Sequence, residues 1–122
     1  MSRINLLVIF GQYLSTMQTP KNSVATLGER LRTMREESKL SLREVATEIG
    51  IDTSLLGKIE RNERQPTKEH IKKVATFFKF DEKLLIKEYL SDQFAYRMIK
   101  EEADLDTLKV AEKKVAYLKK QK

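Results

Sequence analysis

From Thr26 onward, apolar residues recur at the three- and four-residue steps of a single helix face. Leu27, Leu31 and Met34 form the first set, and Leu42, Val45, Ala46 and Ile49 the second. Leu55, Leu56 and Ile59 follow, then Ile71, Val74, Ala75 and Phe78, then Leu84, Leu85 and Tyr89. Strand-type alternation is scarce, so the spacing predicts an all-α chain. Thr26 with Glu29, and Ser41 with Glu44, carry the capping-box pattern that marks where a helix starts. Gly50 ends the second helix. Asp52 is a good N-cap for the third, which runs to about Arg61. The loop NERQP leads to a fourth helix, Thr67 to about Phe78, and Asp81 caps the fifth.

Beyond Ser91 the pattern stays helical, with a break near Ala103 and Asp104. Leu105, Leu108, Ala111, Val115 and Leu118 step by 3, 3, 4 and 3, the narrow seam of a two-helix contact. Lys109, Lys113, Lys114, Lys119 and Lys120 surround the seam. It must lie either on its own domain, beside Phe94 and Met98, or on a partner chain, and a homodimer is the preferred expectation. Residues 1–24 are nearly uncharged and carry Pro20, which predicts an N-terminal extension with a short helix over Ile4–Leu14. A translation start at Met17 is the alternative reading of that segment. The apolar run Leu6–Phe10 falls short of the roughly 20 residues of a membrane span. It also lacks the centre and cleavage site of a secretory signal. The expected organisation is an extension over 1–24, a domain over 25–90 and a C-terminal helical segment over 91–122.

Charge changes this picture. Net charge is +6 over 122 residues and the pI about 9.5, a balance that suits a polyanionic partner. Cysteine is absent, which removes disulfides and thiolate metal sites and fits a reducing cytoplasm. His70 is the sole histidine and reads as a surface residue, so no histidine metal site or histidine-dependent triad can form within one chain. Asp81, Glu82, Asp104 and Asp106 stand at helix starts, where capping explains them. There is no glycine-rich phosphate loop. Phe77, Phe78 and Phe80 read as packing residues. The expectation is no catalysis, no metal, no cofactor, no membrane and no small-molecule ligand.

The stretch SLREVATEIGIDTSLLGKIERNERQPT concentrates the chemistry. Small Ala46 permits a close helix crossing, and Gly50 can take positive φ at a tight turn. Ile49, Ile51, Leu56 and Ile59 would lock the two helices from beneath. A helix that served only a core would not need Asp52, Thr53, Ser54, Lys58 and Arg61 on its remaining surface.

Residues Thr26 to about Leu90 resemble the Cro/C1-type (Xre-like) helix-turn-helix DNA-binding regulators. The resemblance is carried by LGERLRTMREESKLSLREVATEIGIDTSLLGKIERNERQPT and the closing VATFFKFDEKLL. It implies a five-helix bundle, here with an additional C-terminal helical segment, whose third helix enters the major groove of double-stranded DNA as part of a two-fold dimer. By the same resemblance, base reading falls on Asp52, Thr53, Ser54 and Lys58. Phosphate binding falls on Arg43, Arg61, Asn62, Arg64, Gln65 and Lys68, and an internal ion pair on Arg35 and Glu60. The family often places glutamine where this chain has Leu42, which shifts weight to Arg43 and the helix amides. Asp52 has two open roles, N-cap and base contact. Gly57 costs about 1 kcal/mol relative to alanine within a helix, and its missing side chain would allow close approach to a sugar-phosphate wall. The expected function is a transcription regulator, a repressor or autoregulator. A protein-interaction or antitoxin-like module on the same fold is the alternative, and the positive face at Lys58, Arg61, Arg64 and Lys68 argues against it.

Overall fold

The computed structural model describes residues 24–121. Among the described residues are six helices and no strand: α1 (Leu27–Glu37), α2 (Leu42–Ile49), α3 (Thr53–Glu60), α4 (Lys68–Phe78), α5 (Glu82–Lys100) and α6 (Leu105–Lys120). The fold is all-α. The chain divides into two compact units, with the boundary after Leu90, inside α5. The first unit is a bundle of α1 to α4 and the opening turns of α5. The second begins at Ser91 and contains α6. The extension expected over residues 1–24, with its Ile4–Leu14 helix, lies outside the described residues apart from Val24.

Local chemistry sets the helix starts. Thr26 Oγ1 accepts from Glu29 N at 3.2 Å, and Glu29 Oε1 accepts from Thr26 N at 2.9 Å. Ser41 and Glu44 exchange the same two bonds at 3.0 Å each. Such a box satisfies amides that no turn of the helix can reach. At α4 the box has an unexpected partner: Thr67 Oγ1 accepts from His70 N, and His70 Nδ1 accepts from Thr67 N, both at 3.1 Å. His70, read from sequence as a surface residue, is half-buried and stands in for the usual glutamate.

The helix ends are set differently. α1 to α5 are each followed by a residue in the left-handed region: Lys39, Gly50, Asn62, Lys79 and Glu102. Each carries the paired reverse bonds of a Schellman motif, as when Asn62 N donates to Ile59 O and Glu63 N to Lys58 O. Only Gly50 takes that conformation freely. Each of the others works against roughly 1–2 kcal/mol of Cβ crowding.

The core of the first unit joins Leu27, Leu31 and Met34 of α1 to Val45, Ala46 and Ile49 of α2 and Leu56 and Ile59 of α3. Ile71, Val74, Ala75 and Phe78 of α4 and Leu85 of α5 complete it, with Leu40 closing the loop between α1 and α2. Leu42, expected on the buried face of α2, sits half-buried at the rim, as do Ile51 and Leu55. Phe77 and Phe78 meet edge to face with ring centroids 4.9 Å apart, and Phe78 is fully buried. Arg30 of α1 pairs with Glu88 of α5.

α1 and α3 approach until their backbones touch. A Cβ built on Gly28 would stand 2.1 Å from the carbonyl oxygen of Ile59 and 2.8 Å from Asn62 Oδ1. No side chain fits there. In the second unit, α6 buries none of its residues.

Candidate nucleic-acid interface

α2 and α3 are eight residues each, joined by Gly50, Ile51 and Asp52. Gly50 adopts φ +73°, and Ile51 N donates to Ala46 O at 3.0 Å, so the turn closes on the backbone alone. Val45, Ala46 and Ile49 face Leu56 and Ile59 within one core. That packing decides which side of α3 remains outside.

The outer side begins with Asp52, Thr53 and Ser54, all exposed, and continues to exposed Lys58. Ser54 and Lys58 are four residues apart, hence neighbours on one helix face. Asp52 occupies the N-cap position, yet its side chain makes no capping hydrogen bond. The expected cap is therefore not made here, in contrast to α1, α2 and α4 with their complete boxes. α3 also has Leu55 where those helices carry Glu or His, so no side chain reaches back to the Asp52 amide. The first amides of α3 and the Asp52 carboxylate both lack that internal cap.

The other end of α3 is gripped tightly. Arg35 Nε donates to Glu60 Oε2 at 2.8 Å and Nη2 to Glu60 Oε1 at 3.0 Å, a bidentate pair across α1 and α3. Arg35 Nη1 also donates to Leu40 O at 2.9 Å. The side chains are only 13% and 4% exposed, so the carboxylate is removed from solvent and held by its partner. The hydrogen bonds it donates to Glu60, more than the charge of that carboxylate, push the Arg35 pKa further above its ordinary value. Glu60 is thus buried within the bundle.

Gly57 requires a correction. It was expected to open a path to a sugar-phosphate wall, but it is buried. A Cβ there would lie 3.0 Å from Arg61 Nη1 and 3.8 Å from Leu42 Cδ1. The space a side chain would fill is taken by the guanidinium of Arg61 and the rim of α2.

Beyond α3 the loop is organised rather than slack. Asn62 sits at φ +62° and its Oδ1 accepts from Thr26 Oγ1 at 2.7 Å, which ties the loop to the cap of α1. Arg61 Nε donates to Glu63. Arg61 and Asn62, both expected at phosphates, therefore have intramolecular partners. Arg43 on the first turn of α2, Arg64 and Gln65 in the loop, and Lys68 at the start of α4 are all exposed. Pro66 between them is buried.

Sequence reasoning missed Gly28, the Thr26–Asn62 bond and the Arg61–Glu63 pair. Gly28 carried a faint signal, since glycine is a poor choice in a first turn already fixed by a capping box. The other two join residues whose relation depends on the fold or on a loop rotamer. Among the described residues, no group of three or more histidines or carboxylates could hold a metal ion. None of the described helices is long and apolar enough to cross a membrane.

Two short helices across a glycine turn, the second with a polar outer face, define a helix-turn-helix domain. A family model described as a helix-turn-helix domain matches residues 28–91, just over half of the chain, and the protein belongs to that family. No curated protein and no solved structure matches the chain.

Proposed function

We propose that the protein is a sequence-specific DNA-binding transcription regulator of the Cro/C1 type, a repressor or autoregulator, that reads the major groove with α3. The observation that carries this reading is the uncapped, exposed start of α3, standing on a helix whose far end is locked by Arg35–Glu60 and Gly28. A rigid base and a free polar tip are what base reading requires.

In this reading Thr53 and Ser54 donate to or accept from base edges, and Thr53 can also pack on a thymine methyl. Lys58 reaches guanine O6 and N7 from one turn further along. Asp52 accepts from a cytosine amino group. Arg43, Arg64, Gln65 and Lys68 hold phosphates, joined by Arg61 when it leaves Glu63 and by the amide nitrogen of Asn62. Two copies bind a two-fold site, since one recognition helix reads few bases. The protein acts in the cytoplasm by binding alone, without catalysis or cofactor.

The test is selection of bound sites from random duplex DNA, followed by titration of the selected duplex at several salt concentrations. A shared half-site motif and a steep fall of affinity with salt are expected, with a slope of about −0.9 for each neutralised phosphate. No enriched motif together with a flat salt dependence would refute the proposal and favour the protein-interaction reading.

A further inference from the structure

α6 is a 16-residue helix that buries none of its residues. Leu108, Val115 and Leu118 are 48%, 52% and 59% exposed. With Ala111 they recur at steps of 3, 4 and 3, the seam spacing of two packed helices. A helix of this length is marginal in water alone, because its nucleation is costly and its stability normally comes from covering one apolar face. An exposed stripe of this kind marks an interaction surface.

The distribution of charge along the helix indicates what covers it. Asp104 and Asp106 stand at its start, close behind Glu101 and Glu102, whereas Lys119 and Lys120 stand at its end, with Lys109, Lys113 and Lys114 between. A second copy laid in parallel would set lysines beside lysines along the whole C-terminal half. A second copy turned end for end places each acidic start against the other's basic end, and opposes the two helix dipoles. The charged ends of the helix are matched in the antiparallel orientation only.

We propose that the α6 seam docks a second copy of this chain in antiparallel orientation, with Leu108 facing the partner's Leu118 and Ala111 facing the partner's Val115. The contact is isologous, so one patch serves both chains. It deepens the two-copy reading given above but makes no use of DNA, and its test is run without DNA, so either can fail while the other stands.

Sedimentation of the full chain over a concentration series should show a dimer, and a monomer throughout would overturn the proposal. Leu118→Lys should weaken self-association at least about tenfold, with the helix-turn-helix unit still folded by circular dichroism. If that variant does not fold, Lys119→Glu combined with Lys120→Glu, on the exposed rim, should also weaken the dimer. Undiminished association in a folded variant of either kind overturns the assignment. Orientation is read separately, because the chain has no cysteine and any thiol introduced is unique. Oxidation of a mixture of Leu108→Cys and Leu118→Cys chains should give a cross-linked heterodimer, while each chain alone should give little. Efficient cross-linking of either chain with itself would overturn the antiparallel arrangement.

Discussion

The two ends of α3 are built on opposite terms. At its C-terminal end the helix touches α1 backbone to backbone at Gly28, holds a nearly buried carboxylate on Arg35, and is tied through Asn62 to the cap of α1. At its N-terminal end three consecutive polar residues face outward and no side chain caps the first turn. Burial and polar satisfaction explain the first arrangement completely. They explain nothing about the second, which leaves amides and short polar side chains open when three neighbouring helices show how readily they could be closed. The contrast locates function: where the fold has every reason to close a terminus and does not, the open groups are kept for something outside it.

Mutations at the gripped end should cost the most. Gly28→Ala forces a methyl group into the Ile59 carbonyl and should destabilise the first unit by about 3 kcal/mol or more, at or above the upper end of the usual range for core overpacking. Chemical denaturation followed by circular dichroism measures this. A loss below that of an ordinary surface change would mean that α1 and α3 are not in contact as described.

Arg35→Ala comes next, at about 3 kcal/mol, because it strands the buried Glu60 carboxylate. Glu60→Ala in combination should recover part of that loss, and a double-mutant cycle reads the coupling. Additive effects would show that the two residues act independently.

At the open end the expected effects are on binding, with stability nearly unchanged. Lys58→Ala should cost about 1–3 kcal/mol at one base position of each half-site, and Ser54→Ala should shift preference at another. Loss that is equal across all sequences would make Lys58 a phosphate contact instead.

The loop between the two regimes should respond less. Glu63→Gln removes the acceptor from Arg61 and an acidic charge from the face expected to meet phosphates, so every duplex should bind more tightly and with a steeper salt slope. As both side chains are half exposed, the gain should stay below about 1 kcal/mol. An unchanged salt slope would place Arg61 away from DNA.

The smallest effect is at the start of α1. The hydrogen bond from the Thr26 backbone amide, above all, holds the Glu29 carboxyl below its ordinary value of 4.5. A depressed carboxylate pKa contributes stability above the ordinary value and loses it as pH falls through the folded one. Glu29→Gln should therefore flatten the decline of stability as pH falls below the ordinary carboxylate value. An identical pH profile would show that this capping bond contributes nothing.

Features with purely local causes were legible in the sequence. The capping boxes at Thr26 and Ser41, the left-handed turn at Gly50 and the apolar steps of α1 to α4 each depend on residues within one or two turns of one another. The unbroken run of α5 to Lys100 was also written in the chain, which offers no glycine or proline between Glu82 and Lys100. Gly28 was not readable as a contact point, because Ile59 is remote in sequence. Asn62 looked like a loop residue free to meet phosphate, since nothing nearby announces its bond to Thr26. Gly57 misled for a related reason: absence of a side chain suggests open space, but a neighbouring guanidinium fills it. The candidate base-reading residues were placed by resemblance, and their exposure follows from the packing of the opposite face of α3.

The left-handed residues that end the helices bear on how the bundle folds. Lys39, Asn62 and Lys79 stop α1, α3 and α4 although none has glycine's freedom to do so. Their conformations persist because docking against other helices over-determines them. A peptide carrying one of these helices alone has no cause to stop where the intact protein does. Element length is thus a collective property of the first unit, and its helices should appear and vanish together in a single transition rather than fray one by one.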